Sequence, residues 1–256
     1  PRVRRQRQMC IRDSLKEGVS LLDLAKKAGY HTYWISMQEK GSIYDAGITV
    51  VAERADKCIW SKGHYDEEIL KELRTLRLPS TENHFIILHL MGSHNRYPER
   101  VPDSFLETHS LPKEMPYPKY TPSLLYTDYV LQEIFEYAQK NLNLQSMIYF
   151  SDHGEDMKYM HTASPFYFSM VRIPFWIYLS PKYQKEYPEI LPNLKNHSQS
   201  VFTNDLIFDT VSGLLHADTN FYHPEYDITN KKYSITRENA KTLHGKRNIS
   251  EEKVAN

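Results

Sequence analysis

Cysteine is scarce in this sequence, and long apolar runs are absent from it. Cys10 and Cys58 are too few to suggest a disulfide framework, and no Cys-x-x-Cys pair occurs, which argues against a structural zinc site built from thiolates. No apolar run is long enough to span a bilayer, and the start of the chain does not resemble a signal peptide. We therefore expect any membrane anchor to lie outside this chain.

An excess of charge of either sign is also missing, because 32 acidic side chains balance 32 basic ones. No global field favours nucleic acid or an acidic polymer, so we expect no nucleic-acid partner. Two motifs that often announce catalysis are lacking as well, namely Gly-x-Ser-x-Gly and a glycine-rich phosphate loop. The chemistry must therefore be inferred from local sites.

Helical and strand patterns alternate along the 256 residues, which favours a single α/β domain with a mostly parallel sheet. Ser20 is a plausible N-cap for an amphipathic helix that ends at Gly29. Strands are predicted at 31–36, 48–52, 84–90, 147–150 and 172–180, and helices at 66–76, 122–142 and 201–215. The proline-rich segment 95–120 is predicted to be a loop.

The strongest functional signal is Ser151-Asp152-His153-Gly154-Glu155, which follows the predicted buried strand at 147–150. In open α/β sheets ligands bind at the carboxyl ends of the strands, and an aspartate oxygen with an imidazole nitrogen suits zinc. The alternative is that Asp152 caps a following helix and that His153 is an ordinary loop histidine. For Glu155, the favoured interpretation is a charge at a helix N-terminus rather than an acid that supports the site.

Three further histidines lie in or after predicted strands. His94 stands in Gly-Ser-His after the strand at 84–90, and we expect a site role for it rather than loop packing. His161 lies eight residues past His153 and can reach the site only if the loop folds back. His89 lies within its strand and is interpreted as a core or supporting residue. We expect His94, Asp152 and His153 to meet in one pocket.

In these motifs the sequence resembles the phosphoethanolamine transferases of the alkaline phosphatase and sulfatase superfamily. The resemblance rests on Ser-Asp-His-Gly-Glu at 151–155, Leu-His-Leu-Met-Gly-Ser-His at 88–94 and Arg-Tyr-Pro-Glu-Arg at 96–100. It implies an alkaline phosphatase-like three-layer α/β/α sandwich. Residues 1–14 are basic and lack periodicity, so we interpret them as a non-native or disordered arm, which precedes a partial sulfatase-like catalytic domain at 15–235 and a polar tail at 236–256.

The resemblance implies a zinc enzyme at the periplasmic face of the bacterial inner membrane, attached through an N-terminal transmembrane domain. Phosphatidylethanolamine would donate its head group to a threonine, and a lipid A or lipopolysaccharide core hydroxyl would then accept it. Asp152 and His153 match two zinc ligands of the family. His94 and His161 match histidines near the transferred phosphoryl group, with substrate-binding and catalytic roles.

One departure from the family pattern limits what this chain is expected to do alone. The family's threonine nucleophile and a further acidic zinc ligand would precede Ser20, where nothing matches them, and Thr32 lies inside a predicted strand. We therefore interpret the chain as a truncated part of an enzyme that is inactive by itself and binds zinc weakly. The alternatives are a sulfatase or phosphodiesterase of the same superfamily, or an inactive module that binds envelope glycans.

Overall fold

The computed structural model describes residues 18–41, 46–112, 114–162, 164–243 and 245–252, so the predicted arm at 1–14 lies outside the described residues. The chain forms two compact units, which meet in sequence between Asn143 and Leu144. We describe the two units separately. The predicted domain limits at 15 and 235 stay predictions.

The first unit contains a three-stranded parallel sheet with strand order β2-β1-β3. Its elements are α1 (Leu21–Lys27), β1 (Tyr30–Ser36), α2 (Ala46–Ala52), β2 (Lys57–Trp60), α3 (Glu68–Thr75), β3 (Asn83–His89), a 3-10 helix (Tyr97–Arg100), α4 (Asp103–Thr108) and α5 (Thr121–Asn141). The register pairs Tyr30 with Asn83 and Ser36 with His89, so β1 and β3 end at the same edge. The segment containing His94, which follows His89, therefore begins at the carboxyl edge of this sheet.

The helix–glycine–strand pattern at the start of the described chain is confirmed. Ser20 and Asp23 form a capping box, in which the Ser20 hydroxyl accepts from the Asp23 N–H at 3.2 Å. Gly29 ends the turn with a φ of 84°, a conformation that glycine adopts without a Cβ penalty. Leu22 and Trp34 then pack together in the core of this unit.

The predicted strand at 48–52 is wrong, because these residues belong to helix α2. Thr49 and Ala52, three residues apart, are buried, whereas Ile48 and Val50 are largely exposed. Burial thus follows the helical spacing of three rather than the alternation of a strand, and tertiary packing overrides the β-branched composition. The second strand is instead β2, and the segment predicted as a loop at 95–120 contains the 3-10 helix and α4.

The second unit contains an antiparallel pair, β4 (Ser146–Phe150) and β5 (Phe175–Leu179). The other elements are 3-10 helices at Phe168–Val171, Asn204–Leu206, Pro224–Tyr226 and Ile249–Glu251, helices α6 (Pro181–Glu186), α7 (Ile190–Asn196) and α8 (Ile207–Leu214), and the short antiparallel pair β6 (Lys241–Thr242) and β7 (Arg247–Asn248). The predicted helix at 201–215 therefore begins later and starts as a 3-10 turn. Leu179, Tyr183 and Leu214 are buried together in the core of the second unit.

Strand β4 is half-buried rather than fully buried, and Phe150 at its end is exposed. Among the described residues, no helix combines the length and the apolar character that crossing a membrane requires.

Candidate metal centre

The polar segment after β4 is held close to residues 169–172 by backbone contacts. The Gly154 N–H donates to the Met170 carbonyl at 2.8 Å. A Cβ at position 154 would lie 2.2 Å from the Arg172 carbonyl oxygen and 2.5 Å from that of Ser169. Only glycine fits this close approach, so Gly154 fixes the path of the chain between His153 and Glu155.

The loop that follows folds back in a tight turn centred on Asp156. Its carboxylate accepts from the Lys158 N–H at 2.9 Å, the Tyr159 N–H at 2.8 Å and the Ser169 hydroxyl at 2.6 Å. These hydrogen bonds, with that from Ser169 the largest, hold the pKa of Asp156 below its usual value. The Met160 N–H then donates back to the Asp156 carbonyl at 2.7 Å. The turn returns the chain at Met160, immediately before His161.

This turn brings His161 beside His153 and Glu155. The two imidazole rings stack with their centroids 4.3 Å apart, and Nδ1 of His161 donates to Oε2 of Glu155 at 2.9 Å. One ligand atom from each of His153, Glu155 and His161 lies within 4.8 Å of the other two. These are the nitrogen and oxygen donors that zinc accepts, and Oε1 of Glu155 is buried with no hydrogen-bond partner among the described residues. The donor set therefore fits a divalent metal ion.

His153 is oriented for coordination by its own neighbour. Its Nδ1 lies 2.9 Å from the Gly154 carbonyl oxygen, and because a carbonyl can only accept, Nδ1 carries the hydrogen. The lone pair available for a metal is then on Nε2. This is the usual arrangement of metal-binding histidines, whose second ring nitrogen donates to a fixed acceptor.

Asp152 lies next to this cluster but is not part of the three-residue set. Its side chain is 87% exposed, and its Oδ1 lies 3.9 Å from Nε2 of His153. Two ligands of one tetrahedral zinc ion are separated by roughly 3.3 Å, given metal–ligand distances near 2 Å. The separation of 3.9 Å is close to that value, and the role of Asp152 as a ligand stays a prediction.

The structure decides between the alternatives left open for the acidic residues. No helix occurs among the described residues between 151 and 167, so neither Asp152 nor Glu155 stands at a helix N-terminus. The favoured interpretation of Glu155 as a helix charge is therefore wrong. Its side chain is only 5% exposed, and its Oε2 accepts from Nδ1 of His161.

His94, in the first unit, is exposed and follows a segment anchored by a buried carboxylate. Asp66 accepts from the Met91 N–H at 2.8 Å and from the Gly92 N–H at 2.7 Å. Burial raises the pKa of Asp66, although these two hydrogen bonds oppose the shift. At the other end of the segment, Arg100 donates to the Asn95 carbonyl at 3.1 Å. The catalytic role of His94 and its predicted convergence with Asp152 and His153 stay predictions.

His89 has the supporting position that its place within a strand indicates. Its Nδ1 lies 3.0 Å from the hydroxyl of Ser36, the residue opposite it in the register, and its ring packs edge-on against Trp34.

Sequence reasoning missed Asp66 and Asn204 as parts of these sites, and it considered a supporting role for Glu155 without favouring it. The Asn204 side-chain amide donates to the Ser151 carbonyl at 2.9 Å and to the Asp152 carbonyl at 3.2 Å. Asn204 lies inside the predicted helix at 201–215, and that pattern indicated no role in a site. The adjacency of Glu155 to the Asp-His pair was a signal for its role, but the contacts of Asp66 and Asn204 span 25 and 52 residues or more and leave no local pattern.

Comparison with known proteins agrees with the motifs. The sulfatase family model matches residues 7–217. Since this is most of the chain, the protein belongs to the sulfatase family. The predicted resemblance to phosphoethanolamine transferases is confirmed by the relatives: phosphoethanolamine transferase EptC of Escherichia coli K12 is 26% identical in an alignment that covers 85% of this chain and 41% of EptC. The chain thus spans less than half the length of this curated relative.

Solved structures confirm the predicted alkaline phosphatase-like α/β fold class. The C-terminal periplasmic domain of EptC from Escherichia coli matches with a TM-score of 0.66 and 26% identity, covering 86% of this chain and 67% of that domain. The zinc complex of the same domain matches with a TM-score of 0.68 and 24% identity, again over 86% and 67% of the two chains.

Proposed function

We propose that this chain is the greater part of the catalytic region of a zinc-dependent phosphoethanolamine transferase. The observation that carries the proposal is that His161, held by Glu155, stacks against His153 of the Asp-His pair after β4, in a chain of the sulfatase family. The names of the relatives support the transfer of phosphoethanolamine in particular.

The proposed reaction moves the head group of phosphatidylethanolamine in two steps. In the first, a threonine hydroxyl outside the matched motifs attacks the phosphorus, the bond from phosphorus to the glycerol oxygen breaks, and the departing diacylglycerol takes up the proton. In the second, a hydroxyl of lipid A or of the lipopolysaccharide core attacks the same phosphorus, and the threonine is released with its proton. No net oxidation or reduction occurs in either step.

The residues of this chain have separate tasks in the proposal. Asp152 and His153 hold zinc, and His94 and His161 bind oxygens of the transferred phosphoryl group and assist proton transfer. Glu155 fixes the ring of His161 through the 2.9 Å hydrogen bond to Nδ1. Zinc, when bound, supplies positive charge against the phosphodiester and lowers the pKa of a coordinated hydroxyl.

The setting we propose is the periplasmic face of the bacterial inner membrane. The matched EptC domain is described as periplasmic, which supports this compartment. A membrane anchor in another part of the protein would bring the site to its lipid donor. The balanced charge of the chain gives no reason to expect a nucleic-acid partner.

The test is a head-group transfer assay on the full-length protein in membranes, with fluorescent phosphatidylethanolamine as donor. We expect release of fluorescent diacylglycerol, and we expect H153A and H94A to reduce it by two orders of magnitude or more, about the contribution of a general acid, base or oxyanion group. H31A is the matched control, because His31 is exposed and lies near the amino end of β1.

Other outcomes would point to the alternative functions. Cleavage of 4-nitrophenyl sulfate or bis(4-nitrophenyl) phosphate without transfer would favour a sulfatase or phosphodiesterase, for which the family assignment is the supporting observation. Binding of lipopolysaccharide without transfer or hydrolysis would favour an inactive glycan-binding module.

A further inference from the structure

Asn204 links two distant parts of the second unit through its side-chain amide. It opens the 3-10 helix that precedes α8, yet both of its contacts are to the segment after β4. The Nδ2 group lies 2.9 Å from the Ser151 carbonyl oxygen and 3.2 Å from the Asp152 carbonyl oxygen. An amide NH2 has two donors, so a single side chain satisfies two consecutive carbonyls.

These two carbonyls define the peptide planes on either side of Asp152. The Ser151 carbonyl belongs to the peptide that precedes the Asp152 Cα, and the Asp152 carbonyl belongs to the peptide that follows it and leads to His153. When both planes are fixed, the direction of the Cα–Cβ bond of Asp152 is fixed as well. This matters because the Asp152 side chain is 87% exposed and has little packing of its own.

The turn that contains Asn204 is held in place by hydrogen bonds and by a buried side chain. The Leu206 N–H donates to the Thr203 carbonyl at 2.9 Å, and Leu206 itself is buried. The Thr203 hydroxyl donates to the Asp205 carboxylate, and the Tyr233 hydroxyl donates to the Val201 carbonyl. The amide of Asn204 is therefore presented from an anchored turn.

Stability alone does not explain an asparagine at this position. Oδ1 of Asn204 is buried and has no hydrogen-bond partner among the described residues, which is a destabilising arrangement for a polar atom. The side chain thus retains an unsatisfied acceptor while its two donors hold the backbone at the Asp-His pair.

We propose that Asn204 is a positioning residue, which directs Asp152 and His153 toward a shared metal ion by fixing the backbone between them. This inference rests on the proposed metal-binding function. The inference gives the 3-10 turn before α8 a role in metal affinity. Asn204 itself does not bind the metal.

The test compares two isosteric variants of the 256-residue chain, N204D and N193D. N204D replaces both N–H donors by an oxygen that faces two carbonyl oxygens. Asn193 is the matched control, because its Nδ2 also donates to a backbone carbonyl in the same unit, that of Thr229 at 2.9 Å. Cobalt(II) is the probe, since its visible absorption reports the ligand geometry as well as the affinity.

We expect N204D to weaken cobalt binding by about 10- to 100-fold, as loss of an interaction that orients metal ligands typically does, and to alter the visible band. N193D should bind cobalt as the unchanged chain does, even if its unfolding midpoint falls by a similar amount. Near-UV circular dichroism checks that each variant is folded. If N204D does not fold, N204A removes the same donors without adding charge and gives the same expected result.

The result that overturns the inference is equal cobalt affinity and an unchanged spectrum in folded N204D or N204A, or an equal loss in N193D. Failure of the proposed metal site has a different signature, namely no cobalt binding by the unchanged chain, or binding that H153A leaves intact. The two failures are therefore distinguishable.

Discussion

Nδ1 of His161 and Oε2 of Glu155 form a hydrogen bond of 2.9 Å inside the second unit. The Glu155 side chain is almost fully buried, whereas that of His161 is only partly so. A buried carboxylate that accepts from an imidazole fixes the orientation of the ring. This hydrogen bond indicates a pre-organised site rather than three polar residues that are merely close in sequence.

The first prediction concerns this pair. E155Q removes the negative charge beside the proposed zinc ligand His153, since Glu155 has a ligand atom within 4.8 Å of one of His153. We expect the zinc affinity of the chain to fall by about 10- to 100-fold, measured by calorimetric titration. E186Q is the control, since Glu186 is exposed at the end of α6 in the same unit. Equal zinc affinity in E155Q and the unchanged chain would contradict a supporting or ligating role for Glu155.

The second prediction concerns Gly154. In G154A the new methyl group would meet two backbone carbonyl oxygens, those of Arg172 and Ser169, which cannot rotate away. We expect a loss of about 1–3 kcal/mol in the free energy of unfolding, measured by urea denaturation. G63A is the control, because the added methyl group would meet only the side chain of Glu68. A loss no larger than that of G63A would show that the loop relaxes at little cost.

The third prediction concerns the segment that leads to His94. In D66N the remaining carbonyl oxygen can accept from only one of the Met91 and Gly92 N–H groups. The new NH2 group faces the other N–H and cannot accept from it. We expect amide hydrogen exchange at Met91 or Gly92 to accelerate about tenfold or more, as measured by NMR. D56N is the control, since Asp56 accepts from the Thr32 N–H at 2.8 Å near the amino end of β1, opposite the edge that Asp66 holds. Unaltered exchange at both amides would rule out the anchoring role of Asp66.

The fourth prediction concerns pH. Burial lowers the pKa of His216 below its usual 6.5, although Glu189 and Glu186 oppose the shift. The unfolded chain therefore binds this proton more readily than the folded one, and the stability contribution present above about pH 6.5 is lost as the pH falls through that value. We expect the urea midpoint to decrease between pH 7.5 and 5.5.

H216N isolates this contribution, because asparagine tolerates the φ of 49° at this position. We expect the urea midpoint of H216N to change less over the same pH range. An identical pH dependence in the variant would assign the effect to other groups.

Local sequence patterns were sufficient where the cause is local. The capping box at Ser20, the turn at Gly29 and the strands that contain Ile35, Ile87 and Ile148 follow from neighbours within one turn or along one strand, and the structure has them at the expected places. The motif after β4, in combination with the Gly-Ser-His segment, also indicated the family, and the family match confirms it.

The tertiary structure alone decided which side chains support the site. Composition was also misleading elsewhere: Ile48 and Val50 favour a strand, but their segment is a helix in which Ala52 is buried. The contact of Glu155 with His161 depends on the turn at Asp156, and that of Asn204 depends on where the chain returns about fifty residues later. The sequence alone determined which chemical groups the chain contains. The folding of distant segments onto one another decided which of these groups are in contact, because a hydrogen bond depends on distance in space and not on separation along the chain.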